Sequence, residues 1–428
     1  MGVSKKKSGW IKGDLIPGLP EELAMECLVR VPFEFHSSMK HVCRSWKCVI
    51  SGSSFNKERI SFGKAESLLC LVQPLTPSPT VMIDDDCGGE KKKEEEEEEG
   101  SESQMMMMIQ HHQQQPRVTG TPLYGLSVYN ATLDTWHRVA IPERIPLFCE
   151  CVAVQGAGKV LLIGGWDPET LQPVRDVFVL DFFAGEGSGR RWRRGKPMSA
   201  ARSFFACASV GSRKVYVAGG HDDQKNALRS AEVYDVEKDE WTTLPPMTEG
   251  RDECHGFSMA TDLGFCVLSG YGTETQGQFR SDGEIYDPVS NSWSVIENVW
   301  PFPDLSPRGR TATASAAAEP AGDFRGCCRL WCFIDSERQS QARWETEDDS
   351  MKWKVVMETI RLPVTTMTSV FAGSLSGQAV AMIGGGGEES GTMMVKATTA
   401  EKNGGKWINV NTPSGFSSLP FSYSSIYV

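Results

Sequence analysis

The chain has 428 residues, a formal net charge of −11 and no apolar run long enough to span a membrane. This length suits one small module followed by one large domain. The sequence shows no signal-peptide pattern, and we expect neither a membrane nor a nucleic acid among its partners.

Residues 1–13 are expected to be a disordered N-terminus, and residues 14–60 to form a small helical module. Pro20 suits the start of a helix, and the acidic Glu21 and Glu22 favour the positive end of its dipole. Pro32 interrupts the pattern between helices. The apolar residues recur at spacings of three and four, as on one face of a helix: Leu19, Leu23, Cys27, Leu28, Met39, Val42, Cys43 and Trp46.

This module resembles an F-box, because it has a Leu-Pro start, a Val-Pro step and a Val-Cys-x-x-Trp ending. The resemblance implies that the module docks on a Skp1-like adaptor and through it on a cullin. It also implies the adaptor-binding residues: Leu19, Pro20, Leu23, Leu28, Val31, Pro32, Val42, Cys43 and Trp46. A generic helical hairpin packed on the next domain is the alternative.

A low-complexity segment interrupts the chain at residues 75–120. Eleven acids and three lysines give residues 84–102 a net charge of −8, and runs of Met, His and Gln follow. Such a composition cannot form a packed core, so we expect a disordered acidic insertion between two strands. A solvated loop is favoured over a site for a basic partner. A metal site at His111 and His112 lacks further ligands at a suitable spacing.

Six tryptophans recur through the rest of the chain at gaps of 49 to 60 residues: Trp136, Trp192, Trp241, Trp293, Trp353 and Trp407. A fixed period of about fifty residues indicates a repeat fold. Three copies place a Tyr seven residues before the Trp, with an Asp- or Asn-containing turn between them: Tyr129, Tyr234 and Tyr286. Hydrophobic runs that end in a glycine pair, such as Gly219-Gly220, complete the pattern.

These copies resemble kelch repeats. The resemblance implies a mainly β fold, namely a six-bladed kelch-type β-propeller over residues 66–428, with one four-stranded blade per repeat. The copy around Trp353 has the least defined boundaries, and an ordinary β-sandwich is the alternative. Leu68–Gln73 lacks a preceding strand, and the terminal SYSSIYV lacks a partner, so we expect the last strand to complete the first blade.

Several longer segments, among them VYVAGGHDDQKNALRSAEVYD and GYGTETQGQF, resemble one plant subgroup of F-box/kelch-repeat proteins. Members of that subgroup are implicated in the turnover of phenylalanine ammonia-lyase, and some in the turnover of cytokinin-response regulators. The resemblance implies a non-catalytic substrate receptor of an SCF-type (Skp1-cullin-F-box) ubiquitin ligase that acts in protein degradation and phenylpropanoid metabolism. A ligase-independent interaction scaffold is the alternative.

An enzyme is the rival from another class, because some kelch-type propellers are copper oxidases. The histidines outside the helical module and the insertion are His137, His221 and His255, and they form no ligand motif. We therefore expect no catalytic residue, metal or cofactor. The thirteen cysteines lie mostly in apolar runs and form no C-x-x-C pair, which favours a reducing compartment, the cytoplasm and/or the nucleus.

One position of the repeat carries an arginine in three successive copies, eight residues before the end of a first strand. If equivalent positions converge on one mouth of the propeller, the guanidinium groups can bind carboxylates of a target, as in some other kelch propellers. A purely structural pairing, for example of Arg251 with Asp222, Asp252 or Glu253, stays open. The candidate target-binding residues are Arg202, Arg251, Arg310, His221, Asp222, Gln276 and Gln278.

Overall fold

The computed structural model describes thirteen parts of the chain. These are residues 15–75, 123–141, 143–183, 192–258, 264–300, 302–315, 328–335, 340–347, 352–358, 369–375, 378–384, 392–396 and 407–428. The acidic run at 84–102 and most of the predicted insertion lie outside the described residues, as do residues 1–14.

The predicted N-terminal helices are confirmed: α1 is Glu21–Val29, α2 is His36–Lys40, α3 is Arg44–Ile50 and α4 is Ser53–Ser61. Pro20 stands at the N-cap of α1, where its missing N–H costs no hydrogen bond. The helices share a small core of their own, built around Leu28, Val49, Ile50 and Phe55. None of the helices in the described parts is long and apolar enough to cross a membrane.

The rest of the described chain is β structure. The strands from the first half are β1 Ser67–Pro74, β2 Tyr124–Asn130, β3 Thr135–Val139, β4 Glu150–Val154, β5 Lys159–Ile163, β6 Val177–Asp181, β7 Trp192–Arg194, β8 Ala206–Val210, β9 Lys214–Ala218, β10 Ala231–Asp235, β11 Glu240–Leu244 and β12 His255–Ser258. Those from the second half are β13 Phe265–Leu268, β14 Gly283–Asp287, β15 Ser292–Ile296, β16 Thr311–Ser315, β17 Cys328–Asp335, β18 Ser340–Glu347, β19 Lys352–Glu358, β20 Ser369–Leu375, β21 Gln378–Gly384, β22 Thr392–Lys396, β23 Trp407–Val410 and β24 Ser422–Tyr427.

These strands form four-stranded antiparallel sheets, as the repeat predicts. In chain order, the described sheets are A (β24-β1-β2-β3), B (β4-β5-β6-β7), C (β8-β9-β10-β11), D (β12-β13-β14-β15), E (β16-β17-β18-β19) and F (β20-β21-β22-β23). Each of the six periodic tryptophans lies in the fourth strand of its repeat. The mainly β class is therefore confirmed, while the closed ring of six blades stays a prediction.

The Tyr–Trp spacing of seven residues has a local cause. In sheets A, C and D the Tyr of the third strand lies directly opposite the Trp of the fourth, with ring centroids 4.9, 4.9 and 5.3 Å apart. The connecting turn places Asp134, Asp239 or Asn291 in the left-handed region, with φ from 53° to 59°. The side chain of each accepts a hydrogen bond from the Tyr hydroxyl. Asp and Asn tolerate this conformation, which explains the composition of the turn.

The same tryptophans join neighbouring sheets. The Trp241 indole donates to the carbonyl of Lys196 (2.7 Å), which follows sheet B, and Trp293 donates to Pro245 (2.7 Å), which follows sheet C. Trp136 of sheet A donates to the carbonyl of Asn411 (3.0 Å), which follows sheet F. A tryptophan of the earliest sheet therefore contacts the latest one, in a propeller-like arrangement.

Sheet A combines the first three described strands with the last one. β24 pairs antiparallel with β1, with Leu68 opposite Ile426. Ser422 and Ser424 accept hydrogen bonds from the backbone N–H groups of Cys151 and Ala153 in sheet B, at 2.8 and 2.7 Å. β24 thus links sheet A to sheet B as well as completing it.

The glycine pair Gly219-Gly220 is needed for close contact between backbones. Both residues have positive φ, 72° and 79°. A Cβ atom on Gly219 would lie 2.5 Å from the Arg251 carbonyl oxygen, and one on Gly220 would lie 2.3 Å from that of Ser203. Only glycine satisfies both the conformation and the approach of the loops from sheets C and D.

Candidate functional site

The helical module leaves part of its apolar surface uncovered. The side chain of Leu23 in α1 is 51% exposed, and that of Val42, just before α3, is 63% exposed. Pro20 and Cys43 are also exposed. Apolar residues that a small module leaves exposed are available to a partner. We call these four residues, Pro20, Leu23, Val42 and Cys43, the exposed apolar face.

The other predicted adaptor residues lie deeper. Leu28 is buried in the helical core, and Leu19, Val31 and Trp46 are half-buried against it. The Trp46 indole donates to the Leu15 carbonyl at 2.6 Å, which fixes α3 against the start of the module. These residues hold the helices together and support the exposed face.

The exposed apolar surface also includes residues that the motif did not single out. Phe35 is as exposed as Leu23, and Ile60 and Phe62 at the end of α4 are about half-exposed. Their spacing gives no helical period, so the sequence carried no clear signal for them.

Arg202 lies inside the protein. Its side chain is fully buried and donates to the carbonyls of Gly219 (2.9 Å) and Ser230 (3.0 Å) and to the carboxylate of Glu232 (3.1 Å) in β10. With its terminal nitrogens engaged in this way, the guanidinium is not presented to a partner. Its contacts support the structural role that the sequence left open.

Arg251 is buried in the same manner one sheet further on. It donates to Glu284 in β14 and to Asp282, both at 3.1 Å, and to the Ser269 carbonyl at 3.0 Å. The partners expected from its own loops, Asp222, Asp252 and Glu253, are not the ones it uses. Burial raises the pKa of Asp282, but hydrogen bonds and charge from Arg280 and Arg251 outweigh it and lower that pKa to about 2.

Arg310 is not equivalent to these two arginines. In sheets C and D the residue two positions after the arginine, Phe204 or Glu253, has a positive φ, and before β16 the matching residue is Gly309 (φ 67°). The position equivalent to Arg202 and Arg251 therefore lies two residues before Gly309, and Pro307 occupies it. The structure therefore places Arg310, which is half-buried, at a different point of the repeat, so the three arginines do not form one equivalent set.

The remaining candidates are divided between structure and surface. His221 is buried, with Nδ1 2.9 Å from the carboxylate of Asp252, and Trp166 donates to its Nε2 at 3.4 Å. Asp222 accepts hydrogen bonds from the backbone of Gln224 and Asn226 and so shapes its own loop. The structure places only Gln276 and Gln278 in exposed positions.

Arg308 is a residue that sequence reasoning missed. Its guanidinium donates to the carbonyls of Phe205 and Cys254, each at 2.9 Å, and pairs with Glu150 at the start of β4. It thus joins the loop before sheet E to the starts of sheets B, C and D. We call this edge of the sheets the far rim, because the helical module contacts the opposite edge.

An aromatic cluster lies beside Arg308 at the far rim. The ring of Phe148 is 5.1 Å from that of Phe204 and 4.6 Å from that of Phe421, and Trp166 packs edge-on against Phe148 at 5.3 Å. The ammonium of Lys225 lies 4.1 Å from the centre of the Trp166 ring, a cation–π contact. This cluster stiffens the loops at the far rim.

Comparison with known proteins assigns both parts of the chain. Residues 16–58 match the F-box domain, and residues 201–248 match the kelch motif. The chain is 85% identical to the F-box/kelch-repeat protein SKIP20 of Arabidopsis thaliana, over the whole length of both chains. The chain belongs to the F-box/kelch-repeat proteins.

Further members of the family extend this likeness. A second F-box/kelch-repeat protein of Arabidopsis thaliana is 60% identical over the whole of both chains, and a third is 35% identical over 74% of this chain and 77% of its own length. The F-box match spans α1 to α3 and most of α4, and the kelch match spans sheet C with Arg202 and Trp241.

This F-box/kelch-repeat protein shows no metal-binding cluster in its described parts, where no three His, Cys, Asp or Glu side chains are grouped to hold an ion. His221 is buried and His255 is half-buried, and the two lie in different surroundings. Burial and the nearby charge of Arg308 lower the pKa of His255 to about 3, so this side chain stays neutral.

Proposed function

We propose that this protein is the substrate-recognition subunit of an SCF-type ubiquitin ligase. The F-box docks on a Skp1-like adaptor and through it on a cullin, and the kelch sheets bind the target that is ubiquitinated and degraded. The observation that carries the proposal is the exposed apolar face of the F-box, where Leu23 and Val42 have no cover. The chain does no chemistry itself and raises the effective concentration of the target near the transferred ubiquitin.

The target-binding part is proposed to be a closed six-bladed propeller. The contact between Trp136 and Asn411 and the pairing of β24 with β1 support closure. Since Arg202 and Arg251 are buried, exposed loop residues of the far rim are the better candidates for target contact, with Gln276 and Gln278 among them. A rigid ring with variable loops suits recognition.

For the target, we propose phenylalanine ammonia-lyase or cytokinin-response regulators, in the cytoplasm and/or the nucleus. The support is the resemblance of the loop segments to the plant subgroup implicated in the turnover of these proteins. Phenylpropanoid metabolism would then be the process that this ligase controls.

The experiment is an affinity purification from plant cells with the proteasome inhibited, followed by mass spectrometry. The intact chain is compared with Leu23→Ala/Val42→Ala, which truncates apolar side chains that the fold leaves at least half-exposed. The matched control is Val289→Ala, an apolar side chain 89% exposed in a turn of sheet D. Truncating a side chain that anchors an interface costs about 2 kcal/mol or more, so we expect at least a tenfold loss of adaptor and cullin in the double variant only.

We also expect the intact chain, the double variant and the control to recover the same set of target proteins. Adaptor recovery that is equal in all three chains contradicts the docking surface. Targets recovered from every chain without any adaptor favour the ligase-independent scaffold.

A further inference from the structure

One buried arginine joins the F-box to the end of the last strand. Arg59 of α4 is almost completely buried. Its guanidinium donates to the carbonyls of Val29 (2.8 Å) and Val31 (2.5 Å) in the F-box, and to the carbonyl of Val428 (3.3 Å), directly after β24. One side chain thus fixes the end of α1, the following turn and the last strand of sheet A together.

Glu66 neutralises this arginine and extends the junction. Its carboxylate accepts from Arg59 at 2.8 Å, from the backbone N–H of Phe33 at 2.5 Å and from the side chain of Asn130 in sheet A at 2.6 Å. The backbone of Glu66 also pairs with that of Val428 through two hydrogen bonds. We call Arg59, Glu66, Asn130 and Val428 the buried junction.

His36 is packed against the same arginine. Burial and the positive charge of Arg59 lower the pKa of His36 to about 3, so the imidazole is neutral near pH 7. The ammonium of Lys40, whose charge also lowers the pKa of His36, donates to the loop after β6. Glu66 is therefore the carboxylate that opposes the charge of Arg59 in this interior.

A second contact lies on sheet B. The ring of Phe33 packs 5.7 Å from that of Phe182, and the ammonium of Lys40 donates to the carbonyl of Phe183. Contacts on two different sheets prevent the module from turning about either one. None of the four residues of the exposed apolar face takes part in these contacts. Docking to the adaptor through that face therefore leaves the contacts between the F-box and the sheets intact.

We propose that Arg59 and Glu66 are positioning residues that hold the F-box in one orientation on the sheets, so that adaptor and target stay at a fixed separation. This inference rests on the proposed function. An apolar contact tolerates sliding, whereas a guanidinium with acceptors from three segments fits in one arrangement only. Ubiquitin transfer requires a target lysine to be near the reacting thioester, and misorientation lowers the rate even when binding is intact.

The test separates orientation from binding. The double variant Arg59→Met/Glu66→Gln removes both charges together, so no unpaired charge is left in the interior. The matched control, Arg144→Met/Glu169→Gln, makes the same replacements in an exposed ion pair of 3.2 Å. Because the natural target is unidentified, a short lysine-bearing peptide is attached covalently at Gln276 through an introduced unnatural amino acid, and its ubiquitination is followed with adaptor, cullin and conjugating enzyme.

We expect the rate of transfer to the tethered peptide to fall at least fivefold in the double variant and to stay within twofold in the control, with adaptor affinity unchanged in both. Single-molecule energy transfer between dyes at Lys57 and Val289, both exposed, is expected to show one narrow distance in the wild type and a broad distribution in the double variant. An unchanged rate together with an unchanged distance distribution overturns the proposal.

A second variant guards against loss of folding. Arg59→Lys keeps a cation beside Glu66 but has one nitrogen in place of three, so it should reproduce the broadened distance with adaptor binding retained. An unchanged distance in Arg59→Lys, in a chain that still binds the adaptor, also overturns the proposal. Absence of adaptor binding in the wild type refutes the proposed function instead, and the distance measurement still tests the junction.

Discussion

Two sets of residues, one in the F-box and one in the kelch sheets, contrast in their exposure. The F-box exposes large apolar side chains such as Leu23 and Val42, whereas the sheets bury full charges such as Arg202 and Arg251. An exposed apolar residue has a favourable free energy to gain from a partner, while a buried charge has already found its partners within the chain. Leu23 and Val42 are therefore available to a partner, whereas Arg202 and Arg251 stabilise the sheets through their internal contacts.

Of the proposed changes, deleting residues 420–428 should lower the stability of the sheets the most, because the sheets depend on internal pairing. The deletion removes β24 with the fully buried Ile426 and Val428, and it leaves β1 with an open edge. Buried aliphatic side chains are worth about 2–5 kcal/mol each, so we expect the loss of the cooperative thermal transition by calorimetry.

The graded form of this experiment is Ile426→Ala, with Val289→Ala as the exposed control. A melting temperature that the deletion leaves unchanged would show that β24 is dispensable and that the sheets do not rely on the last strand.

Arg251→Met should have the next largest effect. It leaves Glu284, which is fully buried, without its cation, and breaking a buried ion pair costs about 3–5 kcal/mol. Adding Glu284→Gln should recover part of this loss, as measured by urea unfolding. The control Arg213→Met removes an exposed ion-pair partner and should cost less than about 1 kcal/mol.

A variant Arg251→Met that unfolds like the wild type but no longer binds the target would contradict the stabilising role of Arg251. That outcome would assign the arginine to recognition, as the sequence pattern alone suggested.

Asp282→Asn should have the smallest effect, and one that depends on pH. Arg280 and Arg251 lower the pKa of Asp282 to about 2, against an ordinary value of 3.8. The carboxylate therefore stabilises the fold above about pH 4, and this contribution disappears as the pH falls toward 2. The shift corresponds to about 2 kcal/mol.

Urea midpoints at pH 7, 5 and 3 should show the wild type and Asp282→Asn converging as the pH falls. A constant difference across this range would mean that the arginines do not hold the carboxylate ionised.

The sequence predicted local patterns, but it did not predict whether a single side chain faces the interior or the solvent. The spacing from Tyr234 to Trp241 predicted a hairpin because both residues and the turn residue Asp239 lie within eight positions. Arg202 was placed correctly along its repeat, but its partner Glu232 lies thirty residues away on another strand.

A usable signal for the buried pairs was nevertheless present. Glu232 and Glu284 each stand two residues before the Tyr of a third strand, between apolar or small neighbours, in the two repeats that carry the buried arginine. Sheet B has Pro146 in place of the arginine and Phe178 in place of the glutamate. Charged residues that occur or are absent together in successive repeats indicate internal pairs. Arg59 lies outside the repeats and its buried pair with Glu66 occurs once, so no repetition in the sequence could indicate it.

The position of β24 also has a consequence for the chain as it is synthesised. β1 leaves the ribosome roughly 350 residues before its neighbour β24, a delay of about 20 to 70 seconds at 5–20 residues per second. During that time β1 presents an unpaired edge, which invites pairing with other chains. The edge of β1 therefore stays open during synthesis, and its pairing with β24 can form only after translation has reached residue 427.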